Sequence, residues 1–168
     1  MKKCIYILMF TVPLFCFSQS SSFGFSAGLT TNGFGGHASY NYRFSEKDYL
    51  QTSILGAKSI DKSSEIDVPY NTIAVNMGYF KNVITDKYNR YYISLGGGGS
   101  VGYEILNNGN TVLENGAIIQ GNNSIVYGGF IGSEPTFFLN DELAIITVLN
   151  YFIYTNSDLG NTSFYAGI

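Results

Sequence analysis

Tryptophan is absent from the 168-residue chain, and cysteine, proline and histidine nearly so, with two, three and one copies. Charge is scarce too: Asp, Glu, Lys and Arg make up 12% of residues, roughly half the usual share. Each shortage excludes something. Two cysteines cannot build a disulfide scaffold, and so few charges do not make a coiled coil or a disordered chain. One histidine with singly scattered acids offers no metal set. A net charge of −3 and a pI near 5.0 argue against a polyanion binder, since phosphate contacts need clustered Lys and Arg. No apolar run reaches 18 residues, which excludes a spanning helix.

What is present points to β-structure. Apolar residues stand at 45%, aromatics at 16% (14 Tyr, 13 Phe), and glycine numbers 20. The amino terminus has its own logic. Met1-Lys2-Lys3 is a basic start, residues 4–17 are apolar, and the small polar Ser18 precedes Gln19 and a serine run. That is the layout of a secretory signal peptide over residues 1–18, too short for an uncleaved membrane anchor. Pro13-Leu14-Phe15 before Cys16 lacks the small residue of a lipoprotein site. Both cysteines, Cys4 and Cys16, fall in this leader, so residues 19–168 form a single thiol-free domain with seven bases against twelve acids.

An exported chain can enter a membrane as a closed barrel, read as ~10-residue runs of alternating hydrophobicity. Period-two alternation predicts eight strands, over residues 23–29, 36–44, 48–58, 68–80, 90–104, 124–138, 142–155 and 162–168. In the second, Ala38, Tyr40, Tyr42 and Phe44 oppose His37, Ser39, Asn41 and Arg43. In the fourth, Ile73, Val75, Met77 and Tyr79 oppose Thr72, Ala74, Asn76 and Gly78. The third sets Leu50 and Ile54 against Gln51 and Ser53, with Leu55 out of phase. Turns after strands two (45–47), four (82–87) and six (140–141) are short; loops 59–67, 106–123 and 156–161 are longer. Short turns on one rim and long loops on the other predict an eight-stranded antiparallel up-and-down barrel of the outer-membrane type, both termini on the short-turn rim. Phe44, Tyr49, Tyr79, Phe80, Tyr88, Tyr91, Phe137 and Phe138 gather beside the short turns and read as an interfacial girdle. The competing reading, a soluble sandwich or lipocalin-like barrel, would place Lys and Glu along the outer faces.

Few residues suggest chemistry. Gly97, Gly99 and Gly102 spell a formal GxGxxG, but no helix opens there and the run reads as a bending strand. His37 and Ser39 share one strand face, as in a lipid A deacylase, yet the alternation points both inward and assigns no carboxylate. The acid-rich 61–67 segment lacks calcium-loop spacing. Arg43, Glu104 and Glu134 are charges on the inner face, and buried charges need partners, so they form a candidate lumen network.

From here a resemblance appears. Gly102-Tyr103-Glu104, Leu113 to Ile119, Ile125-Val126-Tyr127-Gly128-Gly129, and Glu134 followed by Leu139-Asn140-Asp141-Glu142-Leu143 are similar to the TraO family of conjugative transposons. So is Val68-Pro69-Tyr70 before a strand ending in Gly78-Tyr79. The resemblance spans roughly residues 67–168, with the first third alike in layout only. It implies an envelope subunit of a conjugal, type IV-like DNA-transfer apparatus, which the barrel and leader readings together place as a structural component in the outer membrane. Its partners would be other envelope subunits and outer-membrane lipid. It brings no catalytic residues, and beside it the chain's own residues lead to the expectation of no enzymatic activity, cofactor, metal, small-molecule substrate or direct nucleic-acid contact. Family members continue past the equivalent of Ala166-Gly167-Ile168, so the seven-residue last strand reads as truncated or short against the 9–11 that span a bilayer. The alternative is a general outer-membrane barrel for adhesion or envelope integrity, with a lipid A-modifying enzyme a distant third.

Overall fold

The computed structural model describes residues 21–61, 68–110, 123–157 and 162–168. The expected leader (1–18) lies outside them, as do most of the 106–123 loop, most of the acid-rich 61–67 segment and residues 158–161. Eight strands follow in order: β1 (Ser21–Thr30), β2 (Gly33–Arg43), β3 (Asp48–Asp61), β4 (Val68–Thr85), β5 (Tyr91–Leu106), β6 (Ser124–Phe138), β7 (Ala144–Tyr154) and β8 (Thr162–Gly167). All neighbours are antiparallel, and β8 pairs with both β7 and β1, so the sheet closes as an up-and-down barrel. The only helical turn described is the 3-10 segment Asn107–Gly109.

Closure survives the short last strand. Ser163 to Gly167 pair with Ser26 to Thr30, and the Phe25 and Ile168 backbones exchange two further hydrogen bonds at 2.7 and 2.9 Å. Several boundaries differ from the sequence reading, each for a local reason. The β1–β2 turn is only Thr31-Asn32, because Asn32 takes a left-handed φ of 58° and lets Gly33 pair at once with Thr30. The fourth strand runs to Thr85 rather than Phe80: the register shifts between Asn82 and Ile84, so Val83 bulges and pairing resumes. The turn expected at 82–87 is therefore displaced to the stretch after Thr85, where Asn89 again has positive φ.

The expected alternation holds along β2 and β4. His37, Ser39 and Asn41 are buried while Tyr40 and Tyr42 are exposed; Thr72, Ala74 and Asn76 are buried while Ile73, Val75 and Met77 are exposed. Leu55 sits in phase after all, turned inward with Gln51 and Ser53. The girdle needs correcting. Tyr49 and Phe80 are fully buried inside the barrel and Phe138 is half-buried against Tyr92, whereas Phe44, Tyr79, Tyr88, Tyr91 and Phe137 face outward. In a strand with apolar residues on both faces, composition cannot distinguish in from out; register can.

The glycine run on β5 makes room for these rings. A Cβ on Gly96 would come within 2.5 Å of the Phe80 ring, and one on Gly78 within 2.8 Å of the Phe130 ring. The strand continues through Gly96 to Gly99 with both ladders intact, so the run is a packing feature. Gly96→Ala is expected to cost about 1–3 kcal/mol through overpacking, read from urea unfolding in detergent micelles. An unchanged midpoint would show that the ring and glycine do not pack as described.

Candidate functional site

Arg43, Glu104, Glu134, His37 and Ser39 all turn to the lumen side of their strands, which stack them in layers, whereas Gly97 and Gly99 share the outward parity of Leu95 and Val101. Nearest the short-turn rim, Arg43 on β2 lies over the rings of Tyr49 and Tyr92, 5.0 and 4.9 Å from their centroids, and donates from Nη2 to the Tyr92 hydroxyl. Glu134 on β6 accepts from Gln51 Nε2 at 2.7 Å and from the Tyr49 hydroxyl at 3.2 Å. Gln51 Nε2 also donates to Asn41 Oδ1 at 3.0 Å. Arg43 and Glu134 are thus brought to one layer and linked through Tyr49, which each of them touches. Buried charge of this kind is tolerable only when its hydrogen-bonding capacity is met.

Glu104 stands apart from them. It pairs with Ser124 and Thr72 towards the long-loop rim and accepts from Ser157 Oγ at 2.9 and 3.1 Å. Although Glu104 and Glu134 sit on neighbouring strands, antiparallel register sends them to opposite ends of the lumen.

Between the two ends lies an aromatic chain. Tyr49 stacks on Phe80 (5.4 Å), Phe80 meets Phe130 (6.2 Å), Phe130 meets Phe152 (5.7 Å), and Phe152 stacks on Tyr154 (5.6 Å). Leu55, Ala74, Ile146, Val148 and Tyr165 complete this cluster. One polar thread runs through it: Asn76 donates to Ser53 Oγ at 3.2 Å and accepts from Ser100 Oγ at 2.7 Å. Sequence reasoning picked out the charges here but missed the aromatic chain, although Phe130, Phe152 and Tyr165 follow inward parity along their strands.

His37 and Ser39 are both buried, facing inward. The His37 ring stacks on Tyr165 at 5.9 Å, and its Nδ1 lies 3.5 Å from Ser26 Oγ. His37 Nε2 and Ser39 Oγ have no hydrogen-bond partner among the described residues, so no base is aimed at that hydroxyl. No group of three metal-ligating side chains occurs among the described residues either.

Two cavities flank the filled layers. One, of about 180 Å³, opens at the short-turn end against Asn41, Arg43, Tyr92 and Glu134. The other, of about 710 Å³, is a groove outside the lumen between the β4–β5 and β6–β7 turns, lined by Tyr88, Arg90, Phe137, Leu139 and Asp141. Both turns are internally braced. Tyr88 N–H donates to Asp86 Oδ2, and the Glu142 and Leu143 amides donate to Asn140 Oδ1 at 2.9 and 2.7 Å.

A closed eight-stranded ring with an apolar outer wall and a lumen filled by its own side chains defines a small up-and-down β-barrel. Within that class, the chain belongs to the TraO family: the model described as conjugative transposon protein TraO matches residues 10–168. The match takes in the first third of the chain, where the sequence motifs had offered only a similar layout. No curated protein and no solved structure matches the chain significantly.

The layered lumen has a measurable consequence. Glu134→Ala removes the acceptor for Gln51 and Tyr49 and is expected to cost about 3 kcal/mol of unfolding free energy in micelles. Glu104→Ala, which removes the acceptor of the Ser157 Oγ bond alone, is expected to cost about 1 kcal/mol. Equal losses would contradict the unequal partnering of the two carboxyl groups.

Proposed function

We propose that this TraO-family protein, exported by its residue 1–18 leader, spans the outer membrane and serves as a structural subunit of the conjugal transfer apparatus. One observation carries the membrane reading. Among outward-facing strand residues whose side chains are described, only Asp48, Lys58 and Lys81 are charged. Asp48 and Lys81 lie directly opposite each other near the short turns, while Lys58 lies opposite Asn71 towards the long loops. Ten residues of β4 separate these two levels. At a rise of ~3.3 Å and a tilt of ~40°, that is about 25 Å, the height of the apolar band on an outer-membrane barrel.

The surface between those levels fits lipid. Phe25, Ile54, Ile131 and Ile153 are 64, 58, 61 and 60% exposed, a state that costs a soluble protein far more than a lipid-embedded one. Tyr42, Phe44, Tyr79 and Tyr91 face out near the short turns; Phe34, Tyr103, Tyr127 and Tyr151 face out towards the long loops. These two belts suit the two interfaces.

The lumen argues for the kind of role. Eight strands enclose room for side chains and little more, and here Tyr49, Phe80, Phe130 and Phe152 occupy the middle with at most 3% exposure. DNA does not pass through such a barrel. Its contribution is therefore anchorage, with the braced turns and the groove between them offered to periplasmic subunits of the apparatus. Family membership favours this over a general adhesion barrel, and the inward-facing His37 and Ser39 do not favour a lipid A enzyme.

Fractionation tests the membrane reading. The protein is expected in the outer-membrane fraction, released by detergent, with gel mobility that shifts on boiling; recovery from the periplasm without detergent would refute it. In planar bilayers the purified barrel is expected to leave baseline current unchanged. Deleting its gene should abolish transfer of the element while leaving other envelope functions intact, and normal transfer would remove the conjugal role.

A further inference from the structure

The cavity of about 180 Å³ at the short-turn end is bracketed by two opposite charges that do not pair with each other. Arg43 on β2 and Glu134 on β6 both line it, and each touches Tyr49. Among the described residues no carboxylate oxygen lies within 4.0 Å of the Arg43 guanidinium; the ion pair found is Lys81 with Asp48 on the outer wall. Hydrogen bonds hold both lumen charges, yet only through neutral groups. Arg43 lies over two tyrosine rings and gives Tyr92 one of the several N–H donors that a guanidinium carries. Glu134, 2% exposed, accepts from Gln51 and Tyr49. An ion withdrawn from water and held by neutral partners alone still favours a counter-charge.

The other charges at this rim do not alter that balance. Glu142 also lines the cavity, but it is exposed and so screened by solvent. The remainder come as neighbours of opposite sign: Glu46 with Lys47, Asp48 with Lys81, Asp86 with Lys87, and Arg90 with Asp141 across the outer groove. A lone anion in the cavity would face two carboxylates, and a lone cation would face the guanidinium. A molecule carrying both charges meets neither objection.

We propose that this cavity binds a small zwitterionic α-amino acid, its carboxylate on Arg43 and its ammonium on Glu134. Volume sets the size: at ~30 Å³ for each water there is room for about six, or for an organic molecule of about six non-hydrogen atoms, such as alanine. The bound molecule joins β2 to β6 across the lumen. Because the ring itself encloses the site, the inference goes beyond the membrane reading and does not depend on it.

The test titrates the full chain, folded in uncharged detergent micelles, by calorimetry with alanine and with its two singly charged analogues, propionate and ethylamine. Wild-type protein is expected to bind alanine about tenfold more tightly than either analogue, the worth of one charge-assisted hydrogen bond. Glu134→Gln, which keeps shape and an acceptor, should weaken alanine about tenfold and improve propionate. Arg43→Met, which keeps the stem, should weaken alanine alike and improve ethylamine. Loss of fold would weaken all three ligands and produce no such exchange, and Glu134→Gln decides the matter if Arg43→Met does not fold. Glu142→Gln should change alanine affinity less than about fivefold, the range of an exposed charge. A folded wild-type barrel that binds alanine no better than the analogues, or a Glu134→Gln variant that binds it as tightly as wild type, overturns the site and leaves the membrane reading untouched.

Discussion

Five paired residues on β8 and β1, Ser163 to Gly167 against Ser26 to Thr30, turn a sheet into a ring, and the rest of the architecture depends on that seam. An open eight-stranded sheet would present two edges of unpaired amides and carbonyls, which promote association in water and are not tolerated in hydrocarbon. The seam is narrower than its neighbours: β1 has ten residues and β8 six. Flanking backbone bonds lengthen it. Thr31 N–H donates to the Thr162 carbonyl at 2.9 Å at one end, and Phe25 and Ile168 bond reciprocally at the other. Side chains add little there, because Gly28 and Gly167 each bring backbone against backbone across the junction.

Closure creates an inside, and a ring of eight strands makes that inside narrow. Whatever points inward must fill the space and find partners for its polar groups; layering meets much of that demand, while His37 Nε2, Ser39 Oγ and Asn150 Oδ1 have no partner among the described residues. Arg43, Tyr92, Glu134, Gln51 and Asn41 satisfy one another at the short-turn end, while Glu104 takes Ser157 at the other. Between them the rings from Tyr49 to Tyr154 exclude water, and glycines at 78 and 96 accept the bulk of Phe130 and Phe80. Large inward residues on one strand are thus matched by missing side chains on the next, so volume is conserved around the ring rather than along any single strand.

That distribution explains what could be read in advance. Alternation made the strand count, the antiparallel order and the inward parity of His37, Ser39, Asn41 and Arg43 legible, because one face of β2 is polar and the other aromatic. It failed at Tyr49 and Phe80, where apolar residues occupy both faces and only the neighbouring strand decides which is buried. The lumen charges were legible as a set, yet their heights were not. Glu104 and Glu134 separate because β5 and β6 run in opposite directions with Ser94 opposite Glu134, a fact of register. The uncharged partners Gln51, Tyr49 and Tyr92 carry no signal of their own until that register is known.

A filled lumen also limits how such a protein can work in a transfer machine. Tyr49, Phe80, Phe130 and Phe152 meet ring against ring across the middle of the lumen and are at most 3% exposed. The functional surfaces are then the wall and the rims. Under the proposed reading, the wall sets depth: charges on β3 and β4 bracket the apolar band, and moving the barrel along the membrane normal would drag Lys58 or the Asp48–Lys81 pair into hydrocarbon. The rims then face their compartments at fixed height. At the short-turn rim, Asp86 and Asn140 tie two turns with side-chain bonds to backbone amides. Presenting a preformed surface lowers the ordering cost of assembly, which suits the anchoring role proposed above.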